Sequence, residues 1–126
     1  MKTENSAPAA KDPTVETDRI THEPGKSYDI IAKLELTRVS QGGERIPISA
    51  AIGSPYKTMG GFWRTPIRLK GFGEPTPEVY GVDSMHSLYL AIENIRQWLG
   101  SINRHGDNLV DAEGTEMTAE KYFKLL

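Results

Sequence analysis

The stretch from Asp83 to Gly106, DSMHSLYLAIENIRQWLGSINRHG, decides how the rest of the chain folds. Its apolar residues Met85, Leu88, Ala91, Ile92, Ile95, Leu99 and Ile102 recur with the 3.6-residue period of an α-helix and form one stripe. Asp83 or Ser84 can cap the free N–H groups of the first turn, and an acid there also suits the helix dipole. Asn103 to Gly106 ends the helix after about five turns. A stripe of this length needs a surface to cover. Six or seven such side chains, at roughly 1.5–3 kcal/mol each, would supply most of the favourable energy of a small core.

That surface lies upstream, where the period falls to two. Ile30, Ala32, Leu34 and Leu36 share one face of an extended segment, with Lys33, Glu35 and Thr37 on the other. Ser40-Gln41-Gly42-Gly43 supplies the backbone freedom of a hairpin turn. Ile46, Ile48, Ala50 and Ile52 repeat the period on a second strand. Pro47 points the opposite way and lacks an N–H, which places that strand at an edge or turns the position outward. Ser54-Pro55 stops this strand and Gly60-Gly61 opens the next. There Trp63, Thr65, Ile67 and Leu69 oppose Phe62, Arg64, Pro66, Arg68 and Lys70. Gly71-Phe72-Gly73, Pro75 and Pro77 break the third strand, and Glu78-Val79-Tyr80 reads as a short fourth. Connections of hairpin length make neighbouring strands antiparallel. The expected fold is a two-layer α+β domain, an antiparallel β-meander of three to four strands packed by one long helix, plus a short C-terminal helix. That last helix follows a Thr118 cap and sets Ala119, Tyr122, Phe123 and Leu126 on one side, after a possible short strand at Asn108–Asp111.

The chain has 126 residues, room for one domain, with 37% hydrophobic and 25% charged residues. Fifteen Lys/Arg against seventeen Asp/Glu give a net charge of −2, which excludes a globally basic protein held on nucleic acid by charge alone. The absence of cysteine excludes disulfide frameworks, thiolate zinc sites and cysteine nucleophiles. No apolar run follows Met1, and nowhere do 18 apolar residues stand together, so the expectation is a cytoplasmic protein with neither secretory signal nor membrane helix. Residues 1–27 have three prolines, no aromatic residue and no apolar period, and read as a disordered arm. Residues 28–104 form the α+β domain, and 105–126 an acidic extension with two lysines against five acids.

Chemical motifs are sparse. Ser54, Ser84, Ser87 and Ser101 stand outside any G-x-S-x-G context, and the histidines are His22, His86 and His105. Asp83 and His86 share a helical turn and could orient an imidazole as a general base, but a helix cap already accounts for the aspartate. Asp107, Asp111, Glu113 and Glu116 lack the spacing of a calcium loop and read as a solvated acidic segment. Gly71-Phe72-Gly73 lacks the third glycine of a phosphate loop and follows a strand without opening a helix. Glu74 with Glu78, and Glu35 with Glu44, share no cleft that their spacing can define. No catalytic residue, metal or cofactor is expected.

The remaining constellation is the outward face of the third strand. Arg64, Arg68 and Lys70 align at period two, with Phe62 at one end and Tyr56-Lys57 just before. Such a face can neutralise and stack single-stranded nucleic acid, can simply be solvated, or can meet an acidic groove on a protein partner.

In order of features the chain resembles a family of small uncharacterised bacterial proteins. The resemblance rests on Ile30–Leu36, on Gly61-Phe62-Trp63-Arg64-Thr65-Pro66-Ile67-Arg68-Leu69-Lys70-Gly71-Phe72-Gly73, and on Tyr80-Gly81-Val82-Asp83-Ser84, a G-V-D-[ST] helix entry. It covers roughly residues 29 to 100 and implies a bacterial origin and a β-meander with a helix, with no assigned activity. The sequence leads to a non-enzymatic protein-binding module of the immunity or antitoxin type, which blocks a partner protein such as a toxin. Its partner-binding residues are Tyr56, Phe62, Arg64, Arg68 and Lys70, and on the acidic side Asp107, Asp111, Glu113 and Glu116. The alternatives are a nucleic-acid binder using the basic strand and a small enzyme with a dispersed site near His86.

Overall fold

Strand pairing begins at β1 (Arg19–Glu23), which turns into β2 (Lys26–Val39) and returns as β3 (Arg45–Gly53). The computed structural model describes residues 19–23, 26–72 and 78–124. In the β2–β3 ladder Leu36 stands opposite Ile48 and Leu34 opposite Ala50, so the alternation of the two segments becomes one apolar face. The turn between them closes as its glycines suggest, with Gly43 at φ +88° and the Ser40 N–H donating to the Glu44 carbonyl at 2.8 Å. One extra residue between Ile30 and Ala32 bulges β2. The strand pairs with β1 as far as Asp29 and with β3 from Ile30 onward.

The third strand is two strands. β4 (Tyr56–Lys57), β5 (Trp63–Arg64) and β7 (Tyr80–Gly81) form a small sheet of their own, in the order β4-β5-β7, while β6 (Ile67–Lys70) pairs with β3 in the main sheet. The break falls at Thr65-Pro66, both buried. Pro66 has no N–H for a ladder, and its carbonyl accepts from Gly53 N–H at 2.9 Å, so the chain crosses between sheets there. Pro47 stands opposite Thr37, just beyond the stretch of β3 that β6 reaches, so its missing N–H costs nothing. Gly71 ends β6 at φ +81°, where a Cβ would lie 2.4 Å from the Pro47 carbonyl oxygen.

Over the main sheet lies α1 (Ser84–Arg104), capped by the Asp83 side chain, which accepts from His86 N–H. Its buried residues are Ser87, Ala91, Ile95, Leu99 and Ile102. The last four join Leu36, Ile48, Ala50, Ile52, Ile67 and Phe72 in one core. The molecule is thus an α+β fold, with a curled antiparallel sheet under one long helix and a short C-terminal helix, α2 (Ala119–Lys124). The stripe is rotated from the one the period suggests. Met85 and Ile92 face outward, at 78% and 39% exposure, and Ser87 takes the inner position.

Both expected boundaries move outward. Arg19–Glu23, placed in the arm by sequence, is paired with Lys26–Asp29, and Ile20 is buried. Its few apolar residues gave no period because the strand is short and bulged at His22. Residues 1–18 and 24–25 of that arm lie outside the described residues. The acidic extension belongs to the domain as well. β8 (Asn108–Val110) pairs with Thr37–Val39 of β2, and Leu109 is fully buried. Asn103 then holds the end of the chain, its Oδ1 accepting from Ala119 N–H at 2.9 Å and its Nδ2 donating to the Asp107 carbonyl at 3.2 Å.

β7 touches α1 at Gly81, where a Cβ would lie 2.4 Å from Ser87 N and 2.7 Å from Ser87 Cα. Backbone cannot give way as a flexible side chain can. Gly81→Ala is expected to cost about 3 kcal/mol of unfolding free energy, at the top of the range for overpacking. Urea denaturation measures it, and a loss below about 0.5 kcal/mol, the size of a neutral surface change, would contradict the close approach.

Candidate interaction surface

The small sheet is built around a buried arginine. Tyr56 and Arg64 are cross-strand partners, as are Arg64 and Tyr80, so the guanidinium lies between two tyrosines. Arg64 is 9% exposed and its Cζ sits 4.9 Å from the Tyr80 ring centroid. Its Nη2 donates to Glu78 Oε1 at 2.8 Å, and the Tyr80 hydroxyl donates to the same oxygen at 2.8 Å. His22 Nε2 lies 3.4 Å from that Nη2, and its Nδ1 lies 2.9 Å from the Tyr56 hydroxyl oxygen. An arginine offers only donors, so Nε2 is the accepting nitrogen and Nδ1–H faces Tyr56. Tyr56 in turn stacks on Tyr28 of β2, centroids 4.3 Å apart and planes 9° from parallel. Residues from β1, β2, β4, β5 and β7 are thereby tied into one cluster.

Out of this cluster projects the β4–β5 turn. Thr58 N–H and Thr58 Oγ1 both donate to the Phe62 carbonyl, at 2.7 and 2.9 Å, and Gly61 N–H donates to the Thr58 carbonyl at 3.1 Å. Gly61 sits at φ +91°, in the left-handed region that glycine enters without strain. Held by these bonds, the turn leaves Met59 wholly exposed and Phe62 at 56%.

Of the two surfaces of opposite sign expected to bind a partner, the basic-aromatic one of Tyr56, Phe62, Arg64, Arg68 and Lys70 is therefore not a single face. Phe62 is exposed as expected. Arg64 is turned inward onto Glu78, Tyr80 and His22, and Tyr56 is half-buried. Arg68 and Lys70 lie on β6, in the other sheet, opposite Ala51 and Ser49, and Arg68 Nη1 donates to the Arg19 carbonyl at 3.2 Å. A basic-aromatic face for single-stranded nucleic acid needed all four residues on one strand. On the acidic side, Asp107 accepts from Arg38 Nε at 2.7 Å with its side chain 12% exposed. Asp111 Oδ1 accepts from the backbone N–H groups of Glu113 and Thr115, at 3.0 and 2.8 Å, and so shapes its own turn. Glu113 and Glu116 are exposed.

His86 has a structural task. Its N–H reaches Asp83 Oδ1 at 2.7 Å while its Nδ1 accepts from Val82 N–H at 3.1 Å, a reciprocal cap that satisfies two backbone donors at the helix start. Among the described residues no group of three His, Asp or Glu could hold a metal ion. Glu93 of α1 lines a cleft with Glu78 and Tyr80 of the cluster, while Glu120 lies on α2. A hydrogen bond from Arg96 holds the Glu93 carboxyl below the usual carboxylate range, and one from Lys124 does the same for Glu120. What sequence reasoning missed is Met59 and His22. Met59 stands beside Gly60-Gly61 and could have been read as a turn tip, whereas nothing in the composition around His22 announced a strand.

Residues 32–120 match the model of a domain of unknown function (DUF6968), and the chain belongs to that family. No curated protein and no solved structure matches it. No helix among the described residues is long and apolar enough to cross a membrane.

The burial of Arg64 and the exposure of Phe62 make opposite predictions for stability. Arg64→Ala is expected to cost about 2–3 kcal/mol through lost packing and hydrogen bonds. Phe62→Ala is expected to change stability by no more than about 0.5 kcal/mol. Paired urea titrations check this, and equal small losses would mean that Arg64 is a surface residue after all.

Proposed function

We propose that the chain is a non-enzymatic protein-binding module, cytoplasmic and bacterial, which docks on a partner protein through the β4–β5 turn as an immunity or antitoxin protein docks on its toxin. The observation that carries the reading is the pair Met59 and Phe62, two large apolar side chains held in water on a turn fastened by three hydrogen bonds. Their exposure has no folding benefit. A partner pocket would recover that apolar area, and the turn enters it already ordered, so little conformational entropy remains to be lost on binding.

Beneath the turn, the Arg64 cluster acts as a strut. A guanidinium bonded to Glu78 and stacked on Tyr80 fixes β5 to β7, and His22 links it to Tyr56 of β4, so the tip moves with the domain. Lys57, exposed beside the turn, adds a positive charge that suits a pocket with an acidic rim. In this reading Phe62 and Met59 are the contact residues, and Tyr56 and Arg64 hold them in place.

Genes of such pairs are adjacent, so co-expression with the neighbouring reading frames tests the reading directly. The expected result is that one neighbour stops growth, that this chain restores it, and that Met59→Asp with Phe62→Asp abolishes the rescue while the purified variant keeps its far-UV circular dichroism. Lack of any toxic neighbour, or full rescue by the double variant, would remove the basis for the proposal.

A further inference from the structure

The hairpin from Arg19 to Asp29 ends where β2 begins to pair with β3, at Ile30. Two strands alone are marginally stable in water, so this hairpin depends on what fastens it sideways. Among the described residues the fastenings are the stack of Tyr28 on Tyr56, the Arg68 bond to the Arg19 carbonyl, the Ser54 N–H bond to the Asp29 carbonyl, and the ring of His22. Of these four, His22 is the one that titrates near neutral pH. A bulge between Thr21 and Glu23 takes His22 out of the β1–β2 ladder and aims its ring at β4 and β5. There Nδ1 lies 2.9 Å from the Tyr56 hydroxyl oxygen and Nε2 3.4 Å from Arg64 Nη2.

We infer that His22 is a pH-sensitive latch, which fastens the hairpin to the small sheet while neutral and releases it when protonated. The neutral ring suits both neighbours, since Nδ1–H donates to Tyr56 and Nε2 accepts from Arg64. A second proton turns Nε2 into a donor. It then meets a guanidinium, which has only donors and already carries a positive charge. Glu78 is the carboxylate on that guanidinium, and its Oε1 is taken by Arg64 Nη2 and by the Tyr80 hydroxyl. Its side chain is 62% exposed, so water screens its pull on the ring. The hairpin itself brings two cations, Arg19 and Lys26, and two anions, Glu23 and Asp29, with Arg19 bonded to Asp29 and Lys26 opposite Glu23 in the ladder. Protonation costs the folded chain the Arg64 contact and costs the unfolded chain nothing. Stability therefore falls as pH drops through the ordinary histidine value of about 6.5. The latch needs no partner at the β4–β5 turn, so it stands or falls apart from docking there.

Urea titrations of the full chain at pH 7.5 and pH 5.5 test it against His22→Gln. A glutamine amide can still accept from Arg64 and donate to Tyr56, but it does not titrate. Between the two pH values the folding equilibrium constant of the parent is expected to fall about tenfold further than that of the variant. His86 and His105 are present in both proteins, so the difference belongs to His22. Hydrogen exchange, corrected for the intrinsic rate at each pH, should show the amides of Arg19–Glu23 less protected at pH 5.5 in the parent and equally protected in the variant. Nitrogen spectra of the parent's ring at pH 7.5 should place its proton on Nδ1, a readout that holds even if the variant folds poorly. Equal pH dependence in the two proteins, a parent more stable at pH 5.5, or a ring proton on Nε2 overturns the inference.

Discussion

The rotation of α1 about its own axis is set by one contact in its first turn. Ser87 lies with its backbone against Gly81, closer than any side chain at residue 81 would allow, and its hydroxyl is hydrogen-bonded to that of Thr65. Both hydroxyls are sealed from water. Breaking that bond without a replacement leaves two buried polar groups, at a cost of about 1–3 kcal/mol each. With Ser87 fixed inward, Ala91, Ile95, Leu99 and Ile102 follow it into the core at helical spacing. Met85, two residues away and so on nearly the opposite side, has nowhere to point but outward. The same contact joins the two sheets, because Gly81 belongs to the small sheet and Thr65 to the crossing between them.

Two ends of the chain complete the sheet that the helix covers. β1 lies along the first four residues of β2 and β8 along its last three, both antiparallel. Each is fastened by an ion pair, Arg19 with Asp29 and Arg38 with Asp107. They differ in weight. The first is exposed on both sides and adds little to stability. The second is largely buried and sits where α1 gives way to β8, so it fixes the path of the turn at Gly106 as well as the charge. Asn103, bonding Ala119 and the Asp107 carbonyl with opposite ends of one amide, does the work of a second cap for the short helix.

Much of this was legible in the chain. Period two in Leu34–Leu36 and Ile46–Ile52 reports the face that α1 covers, and the hairpin between them follows from its glycines, whereas Ile30 and Ala32, expected on that same face, are split by the bulge of β2 and Ala32 is exposed. The helix start follows from Asp83 because the cap is local chemistry. Arg64 was illegible for the opposite reason. Alternation states which residues share a face but not which face is inside, and residues 63–70 alternate through two different sheets. Pro66 marked the break, since a proline within a strand signals an edge or an end. The acidic residues misled in the same way. Asp107 and Asp111 are acidic side chains turned to internal partners, and charge counts alone cannot separate an acid that waits for a partner from one that already has it.

The helix stripe holds a subtler lesson about apolar periodicity. Seven apolar residues at 3.6 spacing suggest one buried face, yet Leu88, Leu90 and Trp98 pack only partly against the core while Tyr89 adds an aromatic to the outer side. An apolar arc that broad exceeds what one sheet can cover. Arg96, the next position on the outer line, is where it becomes charged, and from there to Arg104 the helix is apolar only on the core side. The excess is confined to the N-terminal half, beside the contact that fixes the rotation. Once Ser87 is turned inward, the apolar residues of the first turns that stand on the other side of the helix, Met85 and Tyr89, are the ones the sheet cannot reach.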